Sequence, residues 1–323
     1  MSSAEEVLAL VEAGGAHVPP LMARLEERLE AVAASHGELL AEHAGATIRA
    51  GGKRLRPLLV FLAAGESAPD DVRVLRAAVA VELIHSATLV HDDVLDAAAL
   101  RRGRPTVVAT AGRAIATATG DLLFSRAFAE LADNGRADEI RVLSDASSGL
   151  AAGELLQRED AWNVDVPRER YLHRCDLKTA RLFQAACRLG ALEGGGEAEG
   201  LGRFGRRIGL AFQLLDDVLD VSGPAERTGK HRGTDLLDGT VTLPLILARE
   251  RDPALAGLDL RAVRTPAEAN ALCDAIAATG VLEEARTEAL EMVAAAKAEL
   301  PALPDGQRAA LELVADSVAD RYA

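Results

Sequence analysis

Leu83-Ile-His-Ser-Ala-Thr-Leu-Val-His-Asp-Asp-Val-Leu-Asp96 ends an apolar, alanine-rich run that begins near Pro69, and its reading decides the fold. Acids at Asp70 and Asp71 mark the start of a helix, where the dipole favours negative charge. The pattern predicts one long helix ending at Asp96. The same acidic pentapeptide recurs in Phe212-Gln-Leu-Leu-Asp-Asp-Val-Leu-Asp220, closing a second helix predicted over Glu197–Val221. Carboxylates four apart on a helix lie within about 40° of each other, so Asp92 and Asp96 can reach one ion, as can Asp216 and Asp220. Asp93 and Asp217 crowd each cluster further. Acids at the C-terminal end of a helix meet an unfavourable dipole, so a cation must compensate. Oxygen ligands at two such places imply Mg²⁺ shared with an anionic substrate.

Composition points the same way. Of 323 residues 49% are hydrophobic but only 3% aromatic, so alanine and leucine must fill the core, which favours close-packed helices. A net charge of −14 argues against nucleic-acid binding, which needs a cationic face. Cys175, Cys187 and Cys273 have no metal-type spacing; Cys175 and Cys187 fall in helical patterns and read as reduced packing residues, as in a cytoplasmic protein. Met-Ser-Ser-Ala-Glu-Glu carries no signal-peptide pattern. The weakly polar stretch from Thr106 to Phe124 is interrupted by Arg113 and Asp121, so no transmembrane segment is expected.

Helical periodicity continues almost throughout. Helices are predicted from Pro19 to about His36, on to about Arg49, over Leu58–Ala64, Val107–Ala132, Arg136–Arg158, Pro167–Gly190, Leu243–Arg249, Pro266–Thr279, Leu282–Leu300 and Gln307–Arg321. No alternating strand pattern is evident. Gly194-Gly-Gly196 lacks the strand and lysine of a phosphate loop and reads as a helix connector. The polar, glycine-punctuated segment Ser222–Gly239 follows the second acids and could fold over them as a lid. No compositional boundary splits the chain, so a single all-α domain over residues 1–323 is expected.

His85, Thr88, Asp92 and Asp96 share one helix face among apolar neighbours, and Gln213, Asp216, Asp217 and Asp220 repeat the arrangement. A lone histidine there would read as a core residue. In register with the acids, it reads as facing a ligand, because unpaired buried polar groups cost about 1–3 kcal/mol each. Basic residues cluster at Gly52-Lys-Arg-Leu-Arg-Pro57, Arg101-Arg-Gly-Arg-Pro105, Asp176-Leu-Lys-Thr-Ala-Arg181 and Gly229-Lys-His-Arg-Gly-Thr-Asp235. Together with the acids they specify substrates of dense negative charge, and their separation implies two. Guanidinium and ammonium groups fit diphosphate oxygens. The remaining apolar surroundings fit a hydrocarbon. A metal-clamped diphosphate is a good leaving group, and its loss from an allylic carbon leaves a carbocation open to a carbon nucleophile. No Ser-His-Asp grouping or reactive-cysteine pattern offers covalent catalysis instead.

These motifs, in this order, resemble the trans-isoprenyl (polyprenyl) diphosphate synthases. The resemblance implies an isoprenoid-synthase fold, a helical bundle around a central cavity, in a Mg²⁺-dependent homodimeric enzyme with three ions per site. It implies isopentenyl diphosphate on Lys53, Arg56, His85 and Arg102, and an allylic diphosphate on Arg101, Lys178, Thr179, Gln213 and Lys230. Metal would fall to Asp92, Asp96, Asp216 and Asp220, and catalysis to the six aspartates with Lys178 and Lys230. His231 stands where proline is common in the family, and Thr240 where many members have a lysine before Thr242-Leu-Pro244.

Ala87 and Thr88 lie one turn before Asp92, where short-chain relatives carry aromatic rings that floor the pocket. Small side chains there let a product grow past this level, towards Ile84, Leu83 and Val81. The expectation is a product of C20 or longer, in the C30–C50 range, with geranylgeranyl or farnesyl diphosphate as shorter alternatives. A terpene cyclase would lack the basic turn and the second Asp cluster, and a noncatalytic partner subunit would have lost one cluster. A di-iron bundle would need Glu-x-x-His pairs.

Overall fold

A computed structural model describes residues 3–35, 37–66, 68, 70–101, 103–223 and 231–320. It is built of helices: α1 (Ser3–Ala13), α2 (Val18–Ala33), α3 (Glu38–Arg49), α4 (Leu55–Ala64), α5 (Asp71–Leu95), α6 (Val107–Ala132), α7 (Ala137–Asp160), α8 (Arg168–Cys175), α9 (Arg181–Gly194) and α10 (Ala198–Ser222). Beyond these come α11 (Thr234–Leu237), α12 (Leu243–Arg251), α13 (Pro253–Ala256), α14 (Pro266–Ala278), α15 (Val281–Ala298) and α16 (Asp305–Asp320). The all-α expectation holds, with one small departure. Leu100–Arg101 (β1) pairs antiparallel with Arg104–Pro105 (β2) in a tight hairpin whose Gly103 takes φ +72°. Strands of two residues are too short to show an alternating pattern.

The chain divides into two compact units. The first comprises Met1–Ser147, Leu182–Gly205 and Glu299–Ser317. Its centre is α5, packed along α6 and flanked by α2 and α4. Asp70 caps α5, its carboxylate accepting from the amides of Val72 and Arg73, and Thr106 caps α6 by accepting from Ala109. α6 breaks at Gly112, where φ is +81°, so its first turn is set apart from the rest. Helices approach closely because small residues line the contacts. A Cβ on Gly190 would lie 2.2 Å from the Val60 carbonyl oxygen, and one on Gly194 would lie 2.0 Å from that of Ala64. Those two glycines let α9 lie against α4.

α5 is long and apolar enough to cross a membrane by length and composition, although Thr106–Phe124 is the stretch that the sequence singles out for that question. Most of its apolar window is buried in packing, as in a core helix.

The second unit comprises Ser148–Arg181, Arg206–Ala298 and Val318–Ala323. α12 packs on α8, α14 and α15, and α11 on α14. The helix predicted over Pro167–Gly190 is not uniform: α8 passes through a single π turn, Asp176–Ala180, before α9. The π turn is held by the buried Asp176, which accepts from Arg181 Nε at 3.0 Å and from Arg206 Nε at 2.5 Å. Cys175, Cys187 and Cys273 are buried thiols outside any disulfide, and burial pushes Cys187 up to about 12 and Cys273 up to about 11. They are packing residues rather than nucleophiles.

Candidate active site

In the first unit, the polar stripe on α5 is graded. His85, Thr88 and Asp92 are half-buried, and Asp96, which ends the helix, is exposed. Asp93 differs. It is 6% exposed and accepts from Arg101 Nε at 2.7 Å, which ties α5 to the β1–β2 hairpin. Ala87 is wholly buried, and the Thr88 hydroxyl donates to the His85 carbonyl at 2.8 Å. Val81, Leu83 and Ile84 are fully buried in the turns before.

The basic turn opens α4. Arg54 caps it with φ +47°, and the half-buried Lys53 and Arg56 flank that residue. The Arg56 guanidinium lies 4.5 Å from the Phe183 ring centroid, a cation–π contact that fixes its direction. A cavity of about 490 Å³ is lined by Gly51, Arg54, Glu82, His85, Asp93 and Arg101, among others. The structure thus brings His85 and Arg101 to one cavity, while Lys53 and Arg56 do not line it. Arg102 lies outside the described residues.

The second unit repeats the grading on α10. Asp216 is exposed and Asp220 half-buried, whereas Asp217 is 3% exposed. The Tyr171 hydroxyl donates to Asp217 Oδ2 at 2.6 Å, and Gln213 Nε2 donates to Oδ1 at 2.7 Å. Gln213 Oε1 in turn accepts from the Thr179 hydroxyl at 2.6 Å. Burial pushes Asp217 up to about 8, with Asp235 and Asp216 adding to the rise, while the bonds from Tyr171 and Gln213 oppose it. Lys178, on the π turn, donates to Glu154 Oε2 at 2.5 Å and to Gln157 Oε1 at 3.1 Å. Burial works against ionisation of Glu154, but the Lys178 and Arg158 cations outweigh it and hold the carboxyl below its usual range.

Lys230 lies outside the described residues, as does the rest of 224–230, so the expected lid is described only at 222–223 and from 231 onward. The part from 231 onward is tied down. The Gly233 amide donates to the Asp220 carbonyl at 2.9 Å, the Asp235 amide to Asp220 Oδ2 at 3.3 Å, and Arg232 bonds the Val221 carbonyl. Thr240, where many family members have lysine, donates its amide to the Asp235 carbonyl at 2.8 Å.

Both pentapeptides therefore keep their outer carboxylates half-buried or exposed and turn the middle one inward onto protein donors. Among the described residues no three His, Cys, Asp or Glu side chains already converge as a metal cage. Accessible carboxylate pairs four residues apart fit instead an ion held by one or two carboxylates, with a substrate completing the shell. Sequence reasoning missed Tyr171, Glu154 and Glu82, and read Arg54 only as one cation of the basic turn. The only available signal for Tyr171 was that it is one of two tyrosines in the chain.

Comparison with known proteins shows the family. The polyprenyl synthetase family profile matches residues 37–277. The heptaprenyl diphosphate synthase component 2 of Geobacillus stearothermophilus is 41% identical over 266 residues, covering 81% of this chain and 83% of that one. The octaprenyl diphosphate synthase of Escherichia coli K12 is 37% identical, covering 80% and 82%. A polyprenyl synthase from Caulobacter crescentus CB15, solved with calcium and isoprenyl diphosphate, superposes with a TM-score of 0.90 at 36% identity, covering 99% and 98%. The isoprenoid-synthase fold follows, and the chain belongs to the polyprenyl synthetase family, as an enzyme that transfers prenyl groups.

Proposed function

We propose that the protein is a Mg²⁺-dependent trans-polyprenyl diphosphate synthase that condenses isopentenyl diphosphate with an allylic diphosphate. The observation that carries this reading is the shared grading of the two acidic motifs: accessible outer carboxylates beside a middle carboxylate bonded inward. Asp92, Asp96, Asp216 and Asp220 hold the metal, three ions per site. When bound, Mg²⁺ neutralises the diphosphate and makes it a leaving group. Asp93 and Asp217 act from behind, through Arg101 and Gln213. Arg101, Lys178, Thr179, Gln213 and Lys230 bind the allylic diphosphate, with Lys178 and Lys230 countering its charge as the bond to carbon breaks. Lys53, Arg56, His85 and Arg102 bind isopentenyl diphosphate. The apolar stretch of α5 before Asp92 excludes water from the carbocation.

The product is C20 or longer, in the C30–C50 range. Small residues at 87 and 88 support this, as do the heptaprenyl and octaprenyl names of two relatives, although a 38% identical relative is a geranylgeranyl diphosphate synthase. Residues 1–323 form one synthase domain, a reading supported by the family profile, which covers parts of both units. The enzyme is a cytoplasmic homodimer with no transmembrane segment and no nucleic-acid partner. The buried thiols and the packing of α5 support the location.

Incubating purified protein with isopentenyl and farnesyl diphosphates and Mg²⁺, then sizing the dephosphorylated products, tests the proposal. Failure to consume isopentenyl diphosphate, both alone and with a second synthase polypeptide added, sinks the synthase reading, and a sole C15 or C20 product from shorter primers sinks the long-chain one. The words "component 2" in the names of two relatives favour one alternative, a catalytic chain that works with a second polypeptide. Activity of the purified chain alone excludes that.

A further inference from the structure

Arg54 stands within the basic turn assigned above to isopentenyl diphosphate, yet its side chain is only 7% exposed. Its backbone adopts φ +47°, a left-handed conformation that a non-glycine residue keeps only when its surroundings impose it. The guanidinium supplies that restraint. Nε donates to Glu26 Oε1 at 2.7 Å, one terminal nitrogen to Glu82 Oε1 at 2.6 Å, and the other to Glu26 Oε2 at 3.1 Å and the Ile48 carbonyl at 2.8 Å.

Those partners lie on separate helices: Glu26 on α2, Ile48 in the last turn of α3, and Glu82 on α5. One side chain at the start of α4 therefore ties four helices. Glu82 is buried, and removing its partner would leave a charge stranded away from water. The clamp is also next to the proposed ligands. Lys53 adjoins Arg54 in the chain, Arg56 follows it by two residues, and His85 lies one turn beyond Glu82 on α5. Arg54, Glu82 and His85 line the same cavity.

We propose that the Glu26–Arg54–Glu82 clamp positions the isopentenyl diphosphate subsite. It holds the turn bearing Lys53 and Arg56 in register with the turn of α5 bearing His85, and so sets affinity for that substrate without touching it. Arg54 and Glu82 are positioning residues. The inference rests on the function proposed above and adds residues to that site.

Arg54→Lys tests it, because a lysine keeps the charge but its single ammonium cannot span two carboxylates and a carbonyl. Steady-state kinetics should show KM for isopentenyl diphosphate raised about tenfold, with KM for farnesyl diphosphate changed by less than about twofold. Glu26→Gln, which keeps an acceptor at the exposed end of the clamp, should raise the same KM only about two- to threefold. Equal changes in both KM values, or an unchanged KM for isopentenyl diphosphate, overturn the proposal. Should Arg54→Lys not fold, Glu26→Ala carries the same two-substrate comparison, and the same two results support or overturn the clamp. A wild-type enzyme that never consumes isopentenyl diphosphate refutes the parent function instead, so the two failures are distinct.

Discussion

The hydroxyl of Tyr171 lies 2.6 Å from Asp217 Oδ2, so a wholly buried phenol holds the middle carboxylate of the second acidic motif. Tyr171→Phe removes that one donor and keeps the ring. Losing a bond to a buried carboxylate costs about 1–3 kcal/mol, and α10 should hold Asp216 and Asp220 less firmly as a result. The expected outcome is a Mg²⁺ half-saturation concentration raised about threefold or more, with a reduced kcat. An unchanged Mg²⁺ titration would show that Tyr171 only packs.

Neighbouring aspartates should behave differently. Asp92 is half-buried and assigned to metal, whereas Asp93 is bonded to Arg101. Asp92→Asn should lower kcat by about 10²–10³-fold and leave Tm within about a degree. Asp93→Asn weakens a mostly buried ion pair and should lower Tm by about 2–6 °C with a smaller kinetic loss. Thermal scans beside initial rates separate the two. Identical profiles for both variants would contradict the inward-and-outward division of the motif.

Ala87 has no exposed surface. Ala87→Phe should shorten the main product by at least one isoprene unit if this turn of α5 borders the growing chain. The ring also overpacks the core, at a cost of about 1–3 kcal/mol. Chromatography of the prenyl alcohols reads the length. An unshortened product would place the floor elsewhere.

Glu139 on α7 provides a pH test away from the candidate site. It is wholly buried, Oε2 accepts from Asn134 Nδ2 at 3.0 Å, and burial with Glu193 nearby pushes its carboxyl from an ordinary 4.5 up to about 8. The folded state thus binds this proton more tightly than the unfolded chain. Its stabilising contribution is intact below about pH 4.5 and is lost as pH rises through about 8. Glu139→Gln mimics the protonated form. Its Tm should gain on the wild type by several degrees between pH 5 and 9. Parallel Tm curves would mean that Glu139 does not carry the proton.

The long helices were legible because their alanine- and leucine-rich runs are too long for strands and their starts carry ordinary signals. Asp70 before α5 and Thr106 before α6 are both capping residues in the structure. The acidic motifs were legible too, since their spacing on a helix fixes which carboxylates share a side. What could not be read was which acid turns inward. That depends on Arg101 in the hairpin that follows α5 and on Tyr171 from another helix, and the spacing of the acids encodes neither partner. The clamp at Arg54 was hidden for the same reason: both of its carboxylate partners are 28 residues away in the chain. The π turn left no signature because its five residues, Asp176-Leu-Lys-Thr-Ala180, are compatible with an ordinary helix.

That wide turn sets the bearing of Tyr171 relative to Thr179. Tyr171 and Thr179, eight positions apart, bond to Asp217 and Gln213, four positions apart on α10. The extra residue wound in between them tunes their bearings like an added tooth in a gear train. Deleting one residue from 176–180 would let an unbroken α-helix form and swing the upstream ring by about 100° relative to the downstream hydroxyl. Only one of the two pairings could then survive, so insertions or deletions in this short window should be far less tolerable than the same change in the Gly195–Glu197 connector.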